Sequence, residues 1–148
     1  TQTNMASTAK TFTSVTAATA TLRRAYIYEF EVGTDGAPNA TDCAVVWDLA
    51  LQTSLGTGVT ATIPPLDVSD AATSMVGRVN YTIEPIIASG VSSRWVLAAN
   101  QRASYRWVVN PGGPGEIVIP ATDVNGYALR GKSATYASTA IATVFFRE

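Results

Sequence analysis

Apolar and polar positions alternate along much of this chain with the two-residue period of strands that bury one face against a core. The clearest run starts at Leu22. Leu22, Arg24, Tyr26, Tyr28, Phe30 and Val32 fall on one side and Arg23, Ala25, Ile27, Glu29 and Glu31 on the other, as in a half-buried strand. Turn residues from Gly33 to Asn39 end it, and the β-forming run Cys43–Leu49 is the next strand. A run from Gly56 to Ile63 stops at Pro64 and Pro65, because proline supplies no ladder donor. Further strands are expected at Arg78–Ile87, Arg94–Ala99, Ala103–Val109, Glu116–Ile119, Tyr127–Lys132 and Ala137–Phe146. Within Arg78–Ile87, Val79, Tyr81, Ile83 and Pro85 share a face, and the proline places this strand at a sheet edge. Asn125-Gly126 has the composition of a tight turn ahead of Tyr127.

One segment departs from this period. Asp67 or Ser69 offers an N-cap, Ala71 and Ala72 favour a helix, Val68, Ala72 and Met75 share a face, and Gly77 ends the segment, so a short helix is expected here. Residues 1–21 hold threonine, alanine and serine around Lys10, Phe12 and Val15, with no sustained period. They read as an extended N-terminal arm, either disordered or ordered against a neighbouring subunit with Phe12 and Val15 as anchors. About nine short strands punctuated by turns, with one short helix and an arm, make the expected fold all-β. It is an antiparallel β-sandwich, jelly-roll-like, with residues 22–148 forming a single domain behind the arm at 1–21.

Composition then restricts the chemistry. The 148 residues include no histidine and one cysteine, only 14% are charged, and the net charge is −1. Without histidine the usual neutral-pH base and the commonest metal ligand are missing. A serine nucleophile would need lysine as its base, and neither Lys10 nor Lys132 stands in a familiar catalytic spacing. Gly56-Thr57-Gly58 and the Gly112–Gly115 turn lack the Lys-Ser/Thr of a phosphate loop. Asp35, Asn39 and Asp42 lack the order of a calcium loop and read as solvated turn residues. Glu29 and Glu31 share a strand face, the one arrangement from which carboxylate-only glycoside hydrolysis could start, but an outward acidic pair reads first as solvation. The sequons at Asn39 and Asn80 are discounted as chance matches, and unpaired Cys43 reads as a buried thiol. The expectation is therefore a non-enzyme that takes no cofactor and no metal. The near-neutral charge argues against nucleic acid, and no secretory signal or membrane-length apolar run is evident, so a soluble, cytosolically made product is expected.

A positive signal is the interleaving of Arg94, Arg102, Arg106 and Arg130 with Trp95, Tyr105, Trp107 and Tyr127. Arginine and aromatic residues are enriched where proteins meet proteins, although the same mixture arises when rings fill a core and arginines reach out of it. Together with Phe12, Val15 and Arg23, these four arginines are the candidate interface residues.

The stretch Asn100-Gln101-Arg102-Ala103-Ser104-Tyr105-Arg106-Trp107-Val108-Val109, the Pro-Gly turn, Glu116–Thr122 and the closing Thr/Ala-rich strand resemble small virion proteins of tailed bacteriophages, in particular capsid cement or decoration proteins. Leu22–Ile27 is a weaker echo. The resemblance implies a β-rich, non-enzymatic homo-oligomer on the capsid exterior that is made in the host cytoplasm and clamps neighbouring subunits of the major capsid protein. A trimer would suit a threefold lattice site. The resemblance carries over no catalytic residues. The alternative is a receptor- or carbohydrate-binding module of a tail fibre or surface protein, with Trp47, Trp95 or Trp107 as a stacking platform.

Overall fold

The computed structural model describes residues 3–90 and 93–148. Its strands are β1 (Thr3–Asn4), β2 (Lys10–Ala17), β3 (Ala25–Thr34), β4 (Ala44–Gln52), β5 (Thr57–Ala61) and β6 (Met75–Ile83). They continue with β7 (Trp95–Asn100), β8 (Tyr105–Val108), β9 (Ile117–Ile119), β10 (Gly126–Lys132) and β11 (Thr139–Arg147). All pairings are antiparallel. A six-stranded sheet runs β5-β6-β2-β10-β4-β7. It packs on a five-stranded sheet ordered β1-β11-β3-β8, with β9 also paired to β3. The all-β sandwich expected from the alternating pattern is the fold.

Within the segment expected to be an arm, Lys10–Ala17 is instead an interior strand, while residues 1 and 2 lie outside the described residues. β2 lies between β6 and β10, near the middle of the larger sheet, with Phe12 and Val15 buried in the shared core. Phe12 meets Trp47 at 5.5 Å between ring centroids. The missing period has a physical cause. Thr11, Ser14 and Thr16 point outward, yet all three are fully buried, and Phe12 is an extra residue between the Thr11–Arg130 and Thr13–Leu129 pairs, so the alternation breaks there. Tyr81 and Arg78 of β6 reach the Ser14 and Thr16 hydroxyls (Arg78 Nη1 to Thr16 Oγ1, 3.2 Å), and the connections 53–56 and 84–88 are tied to each other and to β2 and β4. Thr53 N–H donates to the Ile86 carbonyl (2.7 Å) and Ile86 N–H to Ser54 Oγ (3.0 Å). Thr11 N–H to Glu84 Oε2 (2.9 Å) and Ala88 N–H to the Leu51 carbonyl (2.9 Å) anchor the far ends. Burial on both faces removes the need for an apolar/polar period. Small hydroxyls fit there, and Ser14 and Tyr81 hydrogen-bond to each other.

The helix expected around Asp67–Gly77 does not form, and the described residues contain none. The Asp67 carboxylate accepts Ser69 N–H (2.9 Å) and Ser69 Oγ–H (2.7 Å), while Asp70 N–H closes onto the Asp67 carbonyl (3.0 Å). The cap residue therefore makes a local turn, and Val68, one of the supposed inner-face residues, is 96% exposed. A helix this short, with no apolar face to bury, cannot offset its nucleation cost. The next strand, β6, is not at an edge: β5 and β2 flank it, and it ends at Ile83 before Pro85.

The strict alternation read through Leu22–Val32 is broken. Opposite β11, Glu29 faces Phe145 but Ile27 faces Phe146, leaving Tyr28 as an extra residue in a β-bulge. Ala25 and Ile27 before the bulge, and Phe30 and Val32 after it, are all buried. A one-residue insertion exchanges the two faces, so both halves of β3 face the core although their parity differs. On the other side of β3, β8 pairs with Glu29–Val32 and β9 with Ala25–Ile27, and Val109 N–H reaches the Tyr28 carbonyl (2.8 Å) between them. Asn125-Gly126 is not a tight hairpin turn. Gly126 already lies in β10, where a Cβ would stand 2.1 Å from the Val15 carbonyl oxygen, so close approach of β2 requires the glycine.

Candidate functional site

The arginine-and-aromatic margin forms where the two sheets end, at β7 and β8. Trp95 pairs with Leu49 and turns inward, and β8 sets Trp107 opposite Phe30. Phe30 stacks on Trp107 (5.0 Å, 19°) and meets Trp95 edge-on (4.8 Å, 73°), and Trp95 in turn lies 5.5 Å from Tyr105. These rings close the sandwich between its two open edges. Trp95 and Trp107 are half-buried, while Tyr105 is exposed.

Each of the four arginines in this pattern is held by a partner within the chain. Arg106 forms a bidentate pair with Glu29 (2.6 and 2.9 Å) and lies 3.6 Å from Glu31. Arg130 forms a bidentate pair with Asp48 across the β10–β4 pairing. Arg102 binds Asp42 (2.8 Å) and the Asn39 carbonyl (3.0 Å), and Arg94 donates to the Tyr127 hydroxyl (3.1 Å). Arg106 and Arg130 stand on different sheets, so the four do not make a single patch. Arg23 is exposed and lines a wide cleft beside β11 whose walls include none of the other candidate residues. Phe12 and Val15 are buried in the chain's own core and present nothing to a neighbour.

The electrostatics follow from these pairs. The Arg106 guanidinium holds Glu29 below the usual glutamate range, and Arg102 does the same for Asp42. A glycosidase acid needs a carboxyl raised in pKa and able to give a proton, and Glu29 is displaced the other way. Among the described residues no group of three or more His, Cys, Asp or Glu side chains converges on a point. The would-be calcium loop is organised by Gln101, which is buried. Gln101 Oε1 accepts from Asn39 N–H (3.1 Å) and Cys43 Sγ (3.3 Å), and its Nε2 donates to the Asn39 and Thr41 carbonyls. Cys43 is half-buried rather than enclosed in apolar surroundings. Trp47 is 1% exposed and offers no stacking surface.

Two clusters had no local signature in the sequence. Arg147 pairs with Glu116 (2.6 and 2.8 Å) and lies over the Tyr26 ring at 4.4 Å, and Glu116 also accepts Gly112 N–H. Glu148 caps the entry to β6, accepting Ser74 N–H (2.9 Å) and the Thr73 and Ser74 hydroxyls. Burial pushes the Glu148 carboxyl up, but these donors outweigh it and leave the pKa lowered. Beside this latch the segment 63–73 overhangs the end of β11 and forms a cleft of ≈ 740 Å³. Leu66 and Val68 stand outward on that segment, 80% and 96% exposed. No known protein family, curated protein or solved structure matches the chain.

Proposed function

We propose that this chain is a non-enzymatic structural protein of a virion, a cement protein that binds the outside of a bacteriophage capsid and strengthens contacts between subunits of the major capsid protein. The observation that carries this reading is the division of labour among side chains. Charged groups pair with one another across strands, as in Arg106–Glu29, Arg130–Asp48, Arg147–Glu116 and Lys10–Glu84. Large apolar side chains such as Leu66, Val68, Val96, Val108 and Ile141 are left outward. Paired charges stiffen the frame, and exposed apolar residues are what a protein partner buries. Among the described residues no group of three or more His, Cys, Asp or Glu converges, and Arg106 holds Glu29 below its ordinary range, an arrangement that suits contact better than chemistry. The finer architecture, a jelly-roll-like winding in which β2, β3 and β4 alternate between sheets, belongs to the same proposal. So do the homo-oligomer and its trimeric form on a threefold site.

The test is reconstitution with genome-filled phage shells that lack this protein. Addition of the protein is expected to raise the temperature at which the shells release their contents, with density for it on the outer surface by cryo-microscopy. No change in release and no density would reject the reading. One observation favours a second reading, a carbohydrate-binding module: exposed Tyr105 lies beside half-buried Trp95 at the sheet margin. Binding on a glycan array that is lost in Tyr105→Ala would establish that alternative.

A further inference from the structure

β11 is paired along its length on one side only. β3 pairs with it from Ala140 to Arg147, whereas β1 reaches only Thr139 and Ala140 on the other side. The Thr139 carbonyl accepts Asp35 N–H at the end of β3, and the Ser138 carbonyl accepts Met5 N–H next to β1. Successive residues of an antiparallel strand turn their backbone groups to opposite sides. Ala142, Val144 and Phe146 therefore aim their N–H and C=O groups at a side where no described strand lies.

The side chains of these same residues are only half-buried against the core. Ile63, Val15, Gly77 and Val79 face them across a groove of ≈ 200 Å³ between the two sheets. The groove opens into the ≈ 740 Å³ cleft beneath segment 63–73 through shared walls at Ile63 and Val144. No charged side chain lines the narrow part. Open backbone donors and acceptors beside an uncovered seam of core are the two things an added strand satisfies together: the ladder supplies affinity and alternate side chains fill the groove.

We propose that this groove receives an extended segment of a partner polypeptide, which adds to the smaller sheet as an antiparallel strand opposite Ala142–Phe146 and places small apolar side chains between the sheets. β1 argues for this occupant, because it already runs antiparallel to β11 with Thr3 opposite Ala140, and the guest continues that line of pairing. A small apolar molecule would fill the groove and leave the backbone groups unpaired. The inference rests on the reading of the chain as a contact protein and names the surface where contact is made.

The experiment uses the full chain, ¹⁵N-labelled, with a synthetic peptide alternating valine and threonine as probe and the same peptide with a central proline as control. In the free protein the Ala142, Val144 and Phe146 amides are expected to exchange quickly and those of Ile141, Thr143 and Phe145 slowly. The alternating peptide slows the first set by about tenfold or more, and the proline peptide does not. Ala142→Pro removes a donor that faces the open side, so the fold survives while peptide binding falls by about tenfold or more. Ile63→Asp, on the opposite wall, weakens binding without touching the ladder. The proposal is overturned if the three amides are already protected in the monomer, or become protected only as protein concentration rises, which would make the occupant a second copy. It is also overturned if millimolar peptide leaves them unprotected, or if Ala142→Pro stays folded and binds as before. Peptide binding without shell binding would instead remove the capsid reading and leave the groove's role intact.

Discussion

Replacing Phe12 with alanine separates an interior strand from a loose arm. In an arm the change would leave the stability of the isolated chain nearly untouched, since exposed substitutions cost within about 0.5 kcal/mol. In the structure Phe12 is 1% exposed on a strand flanked on both sides, and its ring meets Trp47. Truncating a buried phenylalanine costs about 3–5 kcal/mol, including the cavity left behind, and loss of the ring pair lies within that range. Against a typical total of about 5–15 kcal/mol, a fifth or more of the folding free energy is at stake. With a urea dependence of about 2 kcal/mol per molar, the unfolding midpoint is expected to fall by about 2 M. Tryptophan fluorescence is the assay, because Trp47 lies beside the new cavity and reports the same transition. A midpoint shift under about 0.5 M, with an unchanged slope, would mean that β2 is not part of the cooperative core and would refute the reasoning.

Gly126→Ala places a methyl group 2.1 Å from the Val15 carbonyl oxygen, so thermal denaturation should show a loss of about 1–3 kcal/mol; an unchanged melting temperature would show that β2 and β10 are not in such close contact. Asp48→Ala leaves the Arg130 guanidinium, with a side chain only 20% exposed, without its bidentate partner, and a cost of about 1–3 kcal/mol in urea melts is expected. Glu29 and Glu116 have folded-state pKa values below the ordinary 4.5, so each contributes stability at pH above that value and loses it as pH falls through the folded value. Urea midpoints measured from neutral pH down to about pH 2 should decline in that acid window, and less steeply in Arg106→Gln; identical profiles would separate the pair from stability. Leu66→Ser with Val68→Ser should leave stability within about 0.5 kcal/mol while weakening retention on shells, and unimpaired retention would exclude this overhang from the contact.

Strand positions were legible where one face is buried and the other is wet. Thus β3, β7, β8 and β11 stand within a few residues of their expected runs, while β4, β9 and β10 were found from short β-forming runs bounded by turn residues. β2 was not legible, because its outward hydroxyls are buried and Phe12 stands as an extra residue against β10, and both remove the two-residue period that betrays a strand. Nor was the bulge at Tyr28, since only the pairing of β11 shows that one residue of β3 has no opposite number. Among the candidate contact residues, the sequence placed arginines and aromatics together but could not say whether they faced out. Glu29, Asp42 and Asp48, which hold Arg106, Arg102 and Arg130, come from strands and loops far away in the chain.

An all-β chain without histidine could be read from residue order alone, because residue type and a two-residue period are local properties. Which strands neighbour one another, which arginines are neutralised, and which edge stays open were decided only in three dimensions. Those properties belong to pairs of residues, such as Glu116 and Arg147, that meet only when the two sheets close on their core.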